Sequence, residues 1–243
     1  MKFGSCARHK RDMSQAGANL TDQPSGTSRA PRNDRRRGRT RNALIGAGQR
    51  LFAARSIDGV TIDDITVAAD VAKGSFYNYF DGKESLGEAI VELVQGDCEH
   101  EIYAANIDVA DPAARIARAM GAMVRYAGIH PERYRAMINL TRRRAEIAAP
   151  INRGLRHDIE AGLGCGSFHA ISVEAGMLAV FAMISSAIDH LRTGGSDAQG
   201  VIREMGFMLL RSLGVVDGAA LEAATAAAAE FGQPVQSSSP SAS

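Results

Sequence analysis

The chain has 243 residues, of which 45% are apolar, and its formal net charge is +1 at pH 7. This length accommodates one small domain and one larger hydrophobic core. No stretch approaches the roughly 20 apolar residues that a transmembrane helix requires, and the N-terminus lacks the apolar centre of a signal peptide, so we expect a cytoplasmic protein.

The N-terminal segment carries most of the positive charge. The first 41 residues contain eleven Lys or Arg residues and three acids, a net charge of +8, which leaves −7 for the remainder. A basic arm on a mildly acidic body is typical of nucleic-acid-binding proteins, although a solvated tail without a partner has the same composition. Residues 1–38 contain few large apolar side chains, so we expect a disordered arm. The arginines closest to the first predicted helix are Arg35, Arg36, Arg37, Arg39 and Arg41.

The first predicted helix spans residues 39–55. Its apolar residues follow the spacing of one helical stripe and are Leu44, Ile45, Leu51 and Phe52, with Gly48 on the same face. Gly59 follows as a stop signal. The arginines before this helix are therefore placed to reach a minor groove or phosphates.

A second helix is predicted to begin at Ile62. Thr61 and Asp64 have the spacing of a capping box, although Asp is shorter than the usual Glu or Gln. Ile62, Ile65 and Ala69 would be buried. These residues identify the first helix of a helix-turn-helix.

A tight turn and a third helix, over residues 72–80, complete that motif. Asp70 lies where the turn requires a left-handed residue, a conformation that Asp tolerates better than most residues. Phe76 and Phe80 are four residues apart and would face inward. The recognition segment, residues 73–79, then presents mainly polar side chains.

From residue 85 onward the pattern is helical throughout. A helix is predicted over residues 85–105, and the next begins at an Asp111 cap with Pro112 in its first turn. Another begins at Pro131, and Pro150 starts or kinks a further helical segment that reaches Leu163. The last three predicted helices span residues 172–192, 197–213 and 219–231. Residues 162–167 are glycine-rich and predicted as a loop. The fold class is all-α: residues 39–85, here called the head, form a three-helix helix-turn-helix domain, and residues 86–231, the body, a helical effector-binding and dimerisation domain. Residues 232–243 are expected to be a disordered tail.

Two of the predicted body helices are apolar on more than one face. They span residues 172–192 and 197–213, and a monomer of this size covers two such broad surfaces poorly. We therefore expect a homodimer through these helices.

The head has the residue types that a DNA-reading helix needs. Small residues at its leading end permit close approach to the groove, and polar side chains beside them reach bases or phosphates. The candidate DNA-contacting residues are Thr61, Lys73, Gly74, Ser75, Tyr77, Asn78, Tyr79 and Lys83. Lys83 and the free N–H groups of the next helix would hold one phosphate. Asn78 is either an adenine contact or simply solvated, and Tyr77 is either a phosphate contact or a packing residue.

The sequence Thr-Ile-Asp-Asp-Ile-Thr-Val-Ala-Ala-Asp-Val-Ala-Lys-Gly-Ser-Phe-Tyr-Asn-Tyr-Phe-Asp-Gly-Lys resembles the N-terminal domain of TetR/AcrR-type bacterial transcriptional regulators, and the resemblance covers residues 41–86. It implies that residues 73–79 are the recognition helix, that Tyr77 and Tyr79 contact the DNA backbone, and that Lys83 contacts a phosphate. Thr66, Asp70 and Ala72 depart from the usual Ala, Gly and Ser or Thr. The missing hydroxyl at Ala72 weakens the helix start by about 1 kcal/mol.

The same resemblance implies a small-molecule effector that binds among the middle helices and changes the separation of two heads. We therefore expect a ligand-responsive transcriptional regulator, a repressor, that binds a palindromic operator as a homodimer. The candidate effector-binding residues are Cys98, Tyr103, Met120, Met123, Tyr126, Met137, Met177 and Phe181. Each of these is otherwise a plain packing residue. The motif is also similar to a subgroup that senses reactive electrophiles, in which case Cys98 is either a reactive thiol or a buried, inert one.

Other functions have less support in the sequence. The three cysteines, Cys6, Cys98 and Cys165, have no CxxC spacing, so neither a disulfide framework nor a zinc site is indicated. No HExxH, GxSxG or phosphate-loop motif occurs, so we expect neither catalysis nor a cofactor. The alternative is a constitutive DNA-organising protein that binds without an effector and with little sequence preference.

Overall fold

The computed structural model describes residues 32–141, 152–169, 171–194 and 197–233, and within these ranges the fold is all-helical, as predicted. The described helices are α1 (Arg32–Ala54), α2 (Ile62–Ala69), α3 (Lys73–Phe76), α4 (Lys83–Asn106), α5 (Pro112–Ile129), α6 (Pro131–Thr141), α7 (Arg153–Cys165), α8 (Val173–Arg192), α9 (Ala198–Ser212) and α10 (Asp217–Phe231). A short 3₁₀ turn, Ile57–Gly59, connects α1 to the region before α2. Three predictions concern residues outside the described ranges. They are the disordered arm up to residue 31, which includes Cys6, the helix start or kink at Pro150, and the disordered tail from residue 234 onward.

The head packs around one apolar centre. Its fully buried side chains are Leu44, Phe52, Ile65, Phe76, Leu86 and Ile90. The first turns of α4 belong to this centre, because Gly48 of α1 lies directly against Leu86 and Ile90: a Cβ atom there would come within 2.8 Å of Ile90. Since α4 continues far beyond residue 85, the head and the body share one uninterrupted helix.

The predicted start and end of α2 are confirmed. The Thr61 hydroxyl accepts a hydrogen bond from the Asp64 N–H at 3.1 Å, and Asp64 Oδ2 accepts one from the Thr61 N–H at 3.0 Å. The short Asp side chain therefore does close the capping box. At the other end Asp70 is left-handed, with φ 53° and ψ 50°, as the turn was predicted to require.

Three predicted boundaries are wrong. The third helix ends at Phe76 rather than at residue 80, and residues 77–79 form a turn. The first helix begins at Arg32 rather than at residue 39, because the Arg-rich stretch has good helix propensity. Arg35, Arg36 and Arg37 therefore lie on a helix rather than in a disordered arm. The glycine-rich stretch 162–167 is not a loop, because α7 continues to Cys165 and ends at the left-handed Gly166. Gly162 is buried in that helix under Phe168, whose ring would lie within 2.4 Å of a Cβ atom at this position.

The body is built around α5, which packs against α4, α7, α8, α9 and α10. Met120 fills the space between α5 and α9, where its sulfur lies 3.8 Å from a Cβ position at Gly206. The alanine-rich α10 lies close to α5 and α9 because its buried residues are small, and Phe231 at its end covers Gly121 of α5. This small-residue packing joins α5, α9 and α10 into one layer.

From the sequence we expected no apolar stretch long enough to cross a membrane, and helix α8 differs from that expectation. Among the described residues, α8 (Val173–Arg192) is long and apolar enough, by length and composition alone, to cross a membrane. This is weak evidence for a span, because a core helix of a soluble protein has the same properties. In this fold α8 packs against α5, α7 and α9 and buries Met177, Val180 and Ile188.

The two glycines of α5 predict opposite effects of substitution by alanine. Gly121→Ala places a methyl group within 2.9 Å of Phe231 and is expected to destabilise the fold by about 1–3 kcal/mol. Gly128→Ala meets no heavy atom within 4 Å, so it is expected to stabilise the helix by up to about 1 kcal/mol. Urea unfolding of both variants measures the difference, and equal unfolding midpoints would contradict the close packing of α5 on α10.

Candidate nucleic-acid interface

The recognition segment is held in place by two buried phenylalanines. Helix α3 has a single turn, and the chain continues as a turn in which the Tyr79 and Phe80 N–H groups donate to the Phe76 carbonyl at 2.9 and 3.1 Å. A helix this short is not stable by itself. Phe76 is fully buried and Phe80 is 6% exposed, with their ring centroids 5.8 Å apart, so packing fixes the segment. The predicted inward direction of both rings is confirmed.

The opposite side of this segment faces solvent. Lys73, Gly74, Tyr77 and Asn78 are exposed, and a Cβ atom at Gly74 would meet nothing within 4 Å. The Tyr77 ring stands edge-on against Phe76, at a centroid distance of 5.5 Å and an interplanar angle of 82°, and is 53% exposed. This contact braces the ring while the side chain remains accessible. The surface is therefore open and polar, with a small residue at its leading end.

Two of the candidate DNA-contacting residues are less accessible than the sequence indicates. Ser75 is half-buried, and Tyr79 is half-buried and packs against the hydrophobic core. The expectation of an outward position for Tyr79 is therefore only partly met. The turn after Phe76 rotates Tyr79 away from the helical position that simple periodicity assigns to it.

Lys73 is paired within the head. Its Nζ lies 2.7 Å from Asp63 Oδ1 of α2, and this contact raises the pKa of Lys73. Both side chains are exposed, and exposed ion pairs of this kind contribute little to stability because solvent screens the two charges. A phosphate therefore competes with Asp63 for the Lys73 ammonium at small cost, so the pair holds the cation near the surface without blocking it.

Thr61 lies at the start of α2 with its hydroxyl on the outer surface. The hydroxyl oxygen and the backbone N–H are both used in the capping box, and a phosphate oxygen at this exposed residue would compete with Asp64 for the hydroxyl proton. Hydrogen bonds from the Thr61 backbone and side chain, with Arg55 nearby, lower the pKa of Asp64. The carboxylate thus stays ionised and keeps the Thr61 hydroxyl oriented.

Lys83 is the first residue of α4, and its Nζ donates to the Val60 carbonyl at 3.2 Å. This contact holds the ammonium between the start of α2 and the start of α4. The residue before the helix is Gly82, which has no side chain to cap the first N–H groups of α4. A cation beside free helix N–H groups is an arrangement that favours a phosphate.

Basic side chains continue the surface along α1. Residues 35–39 and Arg41 are exposed, and the Arg41 guanidinium lies over the Phe80 ring at 5.6 Å. Five of these six are arginines that the sequence placed in an arm beside the head. These arginines belong to α1, whose buried residues share one core with Phe76 of the recognition segment. Their positions relative to that segment are therefore fixed by the packing of the head.

The head is tied to the body by helix α6. The Asn139 amide donates to the carbonyls of Phe52 and Ala53, at 2.9 and 3.4 Å, and so caps the C-terminal end of α1. One turn and a half earlier on α6, Arg133 donates to Asp97 Oδ2 of α4 at 2.9 Å. Tyr126 of α5 donates to the same oxygen at 3.2 Å. Sequence reasoning missed Asn139, Arg133 and Asp97 and named Tyr126 only as a candidate effector contact, because no local pattern marks a contact between distant helices.

The structure does not gather the candidate effector-binding residues around one cavity. Met120 and Met177 are fully buried packing residues, whereas Tyr103 is 67% exposed on the outer side of α4 and Phe181 is 36% exposed on α8. The remaining candidates are buried or half-buried: Met123, Tyr126 and Met137. Their separation follows from helix phase, which the sequence does not fix well enough to place them on one wall.

Cys98 has the environment of an unreactive thiol. It is 5% exposed on α4, and burial, with Asp97, Glu101 and Glu99 nearby, raises its pKa to about 12. A thiol of this kind is almost entirely protonated at neutral pH, and the thiolate is the reactive form. This environment agrees with the inert alternative for Cys98.

Comparisons with known proteins point to one family for the head. Residues 44–90 match the family model of bacterial regulatory proteins of the tetR family. The chain is 36% identical over 75 residues to the HTH-type transcriptional repressor DhaR of Mycobacterium sp. (strain GP1), a segment that covers 31% of this chain and 38% of that protein. The chain therefore matches less than two fifths of the length of this curated relative.

Solved structures extend the likeness to the body. A TetR family transcription regulator from Marinobacter aquaeolei VT8 superposes with a TM-score of 0.65 at 17% identity, covering 74% of this chain and 98% of that one. The structure of AibR in complex with isovaleryl coenzyme A and operator DNA superposes with a TM-score of 0.58 at 16% identity, covering 70% and 98%. At these identities the likeness shows a shared fold.

Two exposed tyrosines provide a matched test of the interface. Tyr77→Ala is expected to weaken binding to duplex DNA by tenfold or more per head, because a hydrogen bond to a charged group contributes about 1.5–3 kcal/mol. Tyr103→Ala removes a still more exposed ring, about 30 Å along α4 from its start at Lys83, and should leave DNA binding unchanged. Fluorescence anisotropy at fixed salt measures both variants, with circular dichroism to confirm folding. Equal affinities of the two variants would contradict a DNA-facing role for Tyr77.

Proposed function

We propose that this chain, a TetR-type regulator by its DNA-binding head, is a ligand-responsive transcriptional repressor that binds a palindromic operator as a homodimer in the cytoplasm. The observation that carries the proposal is the solvent-facing surface of the recognition segment. The proposal is supported by a braced and exposed Tyr77, by an open Gly74 and by the Lys83 ammonium beside the uncapped start of α4. Such a surface suits a major groove and its flanking phosphates.

Within this proposal, the recognition segment reads bases and the surrounding residues fix its register. Asn78 is the residue best suited to a base edge, because an exposed Asn side chain can pair with the N6 and N7 groups of adenine. Thr61, Lys73, Tyr77 and Lys83 supply phosphate contacts, with a smaller share from Ser75 and Tyr79. The arginines on α1 add sequence-independent attraction.

Ligand response requires a mechanical connection between body and head, and α6 supplies one. Asn139 caps α1, and Arg133 holds Asp97 of α4, so a displacement of α6 acts on two helices of the head at once. Half-sites for a dimer must be separated by about 34 Å or a multiple of it, so a small rotation of each head removes the fit. For one protein of similar fold, AibR, a complex with both isovaleryl coenzyme A and operator DNA is known.

The dimer interface in this proposal is formed by α8 and α9. These helices pack against each other and leave large apolar side chains exposed: Leu178, Phe181 and Met208. Contiguous exposed apolar surface of this kind marks an association site in soluble proteins. Two copies related by a twofold axis would bury the same surface on both sides.

One observation favours a second candidate, a constitutive DNA-organising protein. The first 41 residues have a net charge of +8, enough for strong binding that does not depend on sequence. Such a protein would bind all duplexes with similar affinity. A regulator should prefer its operator by roughly a thousandfold or more.

Fluorescence anisotropy distinguishes the two candidates. The purified protein is titrated against DNA from upstream of its own gene and against a scrambled duplex of equal length, both at physiological salt. Preferential binding to the upstream DNA is the expected result for a regulator of its own locus. Equal affinity for both duplexes, with similar salt dependence, would favour the DNA-organising protein.

Two exposed leucines test the interface. Leu178→Glu on α8 is expected to convert the dimer to a monomer, because it places a charge in the apolar surface, and operator affinity should fall with it. Leu221→Glu on α10 is the matched control, since Leu221 is 52% exposed and Leu178 is 54% exposed. Sedimentation velocity measures the mass of each variant. A Leu178→Glu protein that remains dimeric would place the interface elsewhere.

A further inference from the structure

A cleft lies where the end of α5, the start of α6, the end of α8 and the start of α9 meet. Its volume is about 340 Å³, within the range of small-molecule sites. The apolar wall consists of Val124, Ala127, Ile188 and Leu191. None of the candidate effector-binding residues named from the sequence lines it.

The polar part of this cleft is cationic. Arg135 of α6 and Arg192 of α8 both line it. Arg192 lies 3.5 Å from Asp189, an exposed and weak contact, whereas Arg135 has no ion pair within the described residues. Asp197, next to the lining residue Ala198, accepts a hydrogen bond from the Gly200 N–H and caps α9, and Glu132, next to the lining residue Pro131, is exposed. The cleft therefore combines an apolar wall with an exposed guanidinium, that of Arg135, which has no counter-ion among the described residues.

The phenol of Tyr134 completes the wall between these two parts. Tyr134 is 6% exposed, and burial raises its pKa to about 12, so the side chain stays neutral at physiological pH. It adds no negative charge to the cleft. The electrostatic character of the site is then set by Arg135 and by Arg192 with its partner Asp189.

We propose that this cleft binds a small organic anion, with an alkyl or aryl body against the apolar wall and a single carboxylate on Arg135. An arginine guanidinium matches a carboxylate with two parallel hydrogen bonds, which gives direction as well as affinity. A cationic ligand would be repelled by the positive charge of Arg135. A neutral ligand would fill the apolar wall and leave that guanidinium unused.

The position of the cleft gives the binding event a consequence, and this step rests on the proposed function. Arg135 and Tyr134 lie on α6 beside Arg133, which holds Asp97 of α4, and Asn139 at the other end of α6 caps α1. A carboxylate that draws Arg135 toward the cleft acts on the helix that ties the body to the head. An anion bound here is therefore positioned to change the orientation of the head.

Isothermal titration calorimetry with sodium octanoate tests the site without DNA. Octylamine, with the same chain and the opposite charge, is the ligand control. Arg135→Gln should weaken octanoate binding about tenfold or more, because it removes a charge-assisted hydrogen bond. Gly128→Leu should narrow the cleft, since Gly128 lines it and a Cβ atom there meets no heavy atom within 4 Å, so the backbone accepts a side chain at this position. Arg203→Gln, an exposed arginine of α9 outside the cleft, is the matched control.

The expected result is binding of octanoate, little binding of octylamine, and a loss in Arg135→Gln and Gly128→Leu but not in Arg203→Gln. Absence of octanoate binding at millimolar concentration, equal binding of octylamine, or wild-type affinity in both cleft variants would overturn the proposal. The same samples are then titrated with DNA. If octanoate occupies the cleft and the affinity for DNA does not change, the site stands and the ligand-responsive part of the proposed function fails.

Discussion

The burial of Phe76 is the interaction on which the head depends. The recognition segment contains one helical turn, far too short to persist without tertiary contacts. Full burial of a phenylalanine side chain contributes about 1.5–3 kcal/mol, and Phe76 also braces Tyr77 edge-on. The polar residues beside it thus owe their positions to an apolar contact on the opposite side of the same turn.

That contact is connected to the rest of the molecule through two helices. Helix α4 carries Leu86 and Ile90 into the head and Asp97 into the body, so it has no break at which the two parts turn independently. Helix α6 reaches the end of α1 through Asn139. Single hydrogen bonds of this kind contribute only about 0.5–1.5 kcal/mol each, which suits a connection that a bound ligand has to alter.

Local chemistry made the head predictable from the sequence. The Thr61–Asp64 capping box, the left-handed Asp70 and the inward Phe76 and Phe80 each depend on residues within a few positions of one another. The positions of Tyr79 and Gly162 were mispredicted, because a turn geometry and the distant Phe168 decide them. Contacts between distant helices were not predicted at all. Nothing near Asn139 in the sequence indicates a contact with α1, and nothing near Arg135 indicates a cleft formed by four helices.

A hydroxyl-radical footprint on DNA from upstream of the gene tests the central claim most directly, namely that two identical heads read one operator. The account predicts two protected patches on each strand, related by a twofold axis and separated by about one helical turn of DNA or a multiple of it. The same pattern should disappear when the recognition segment carries Tyr77→Ala. A single protected patch, or uniform protection along any duplex, would contradict the account.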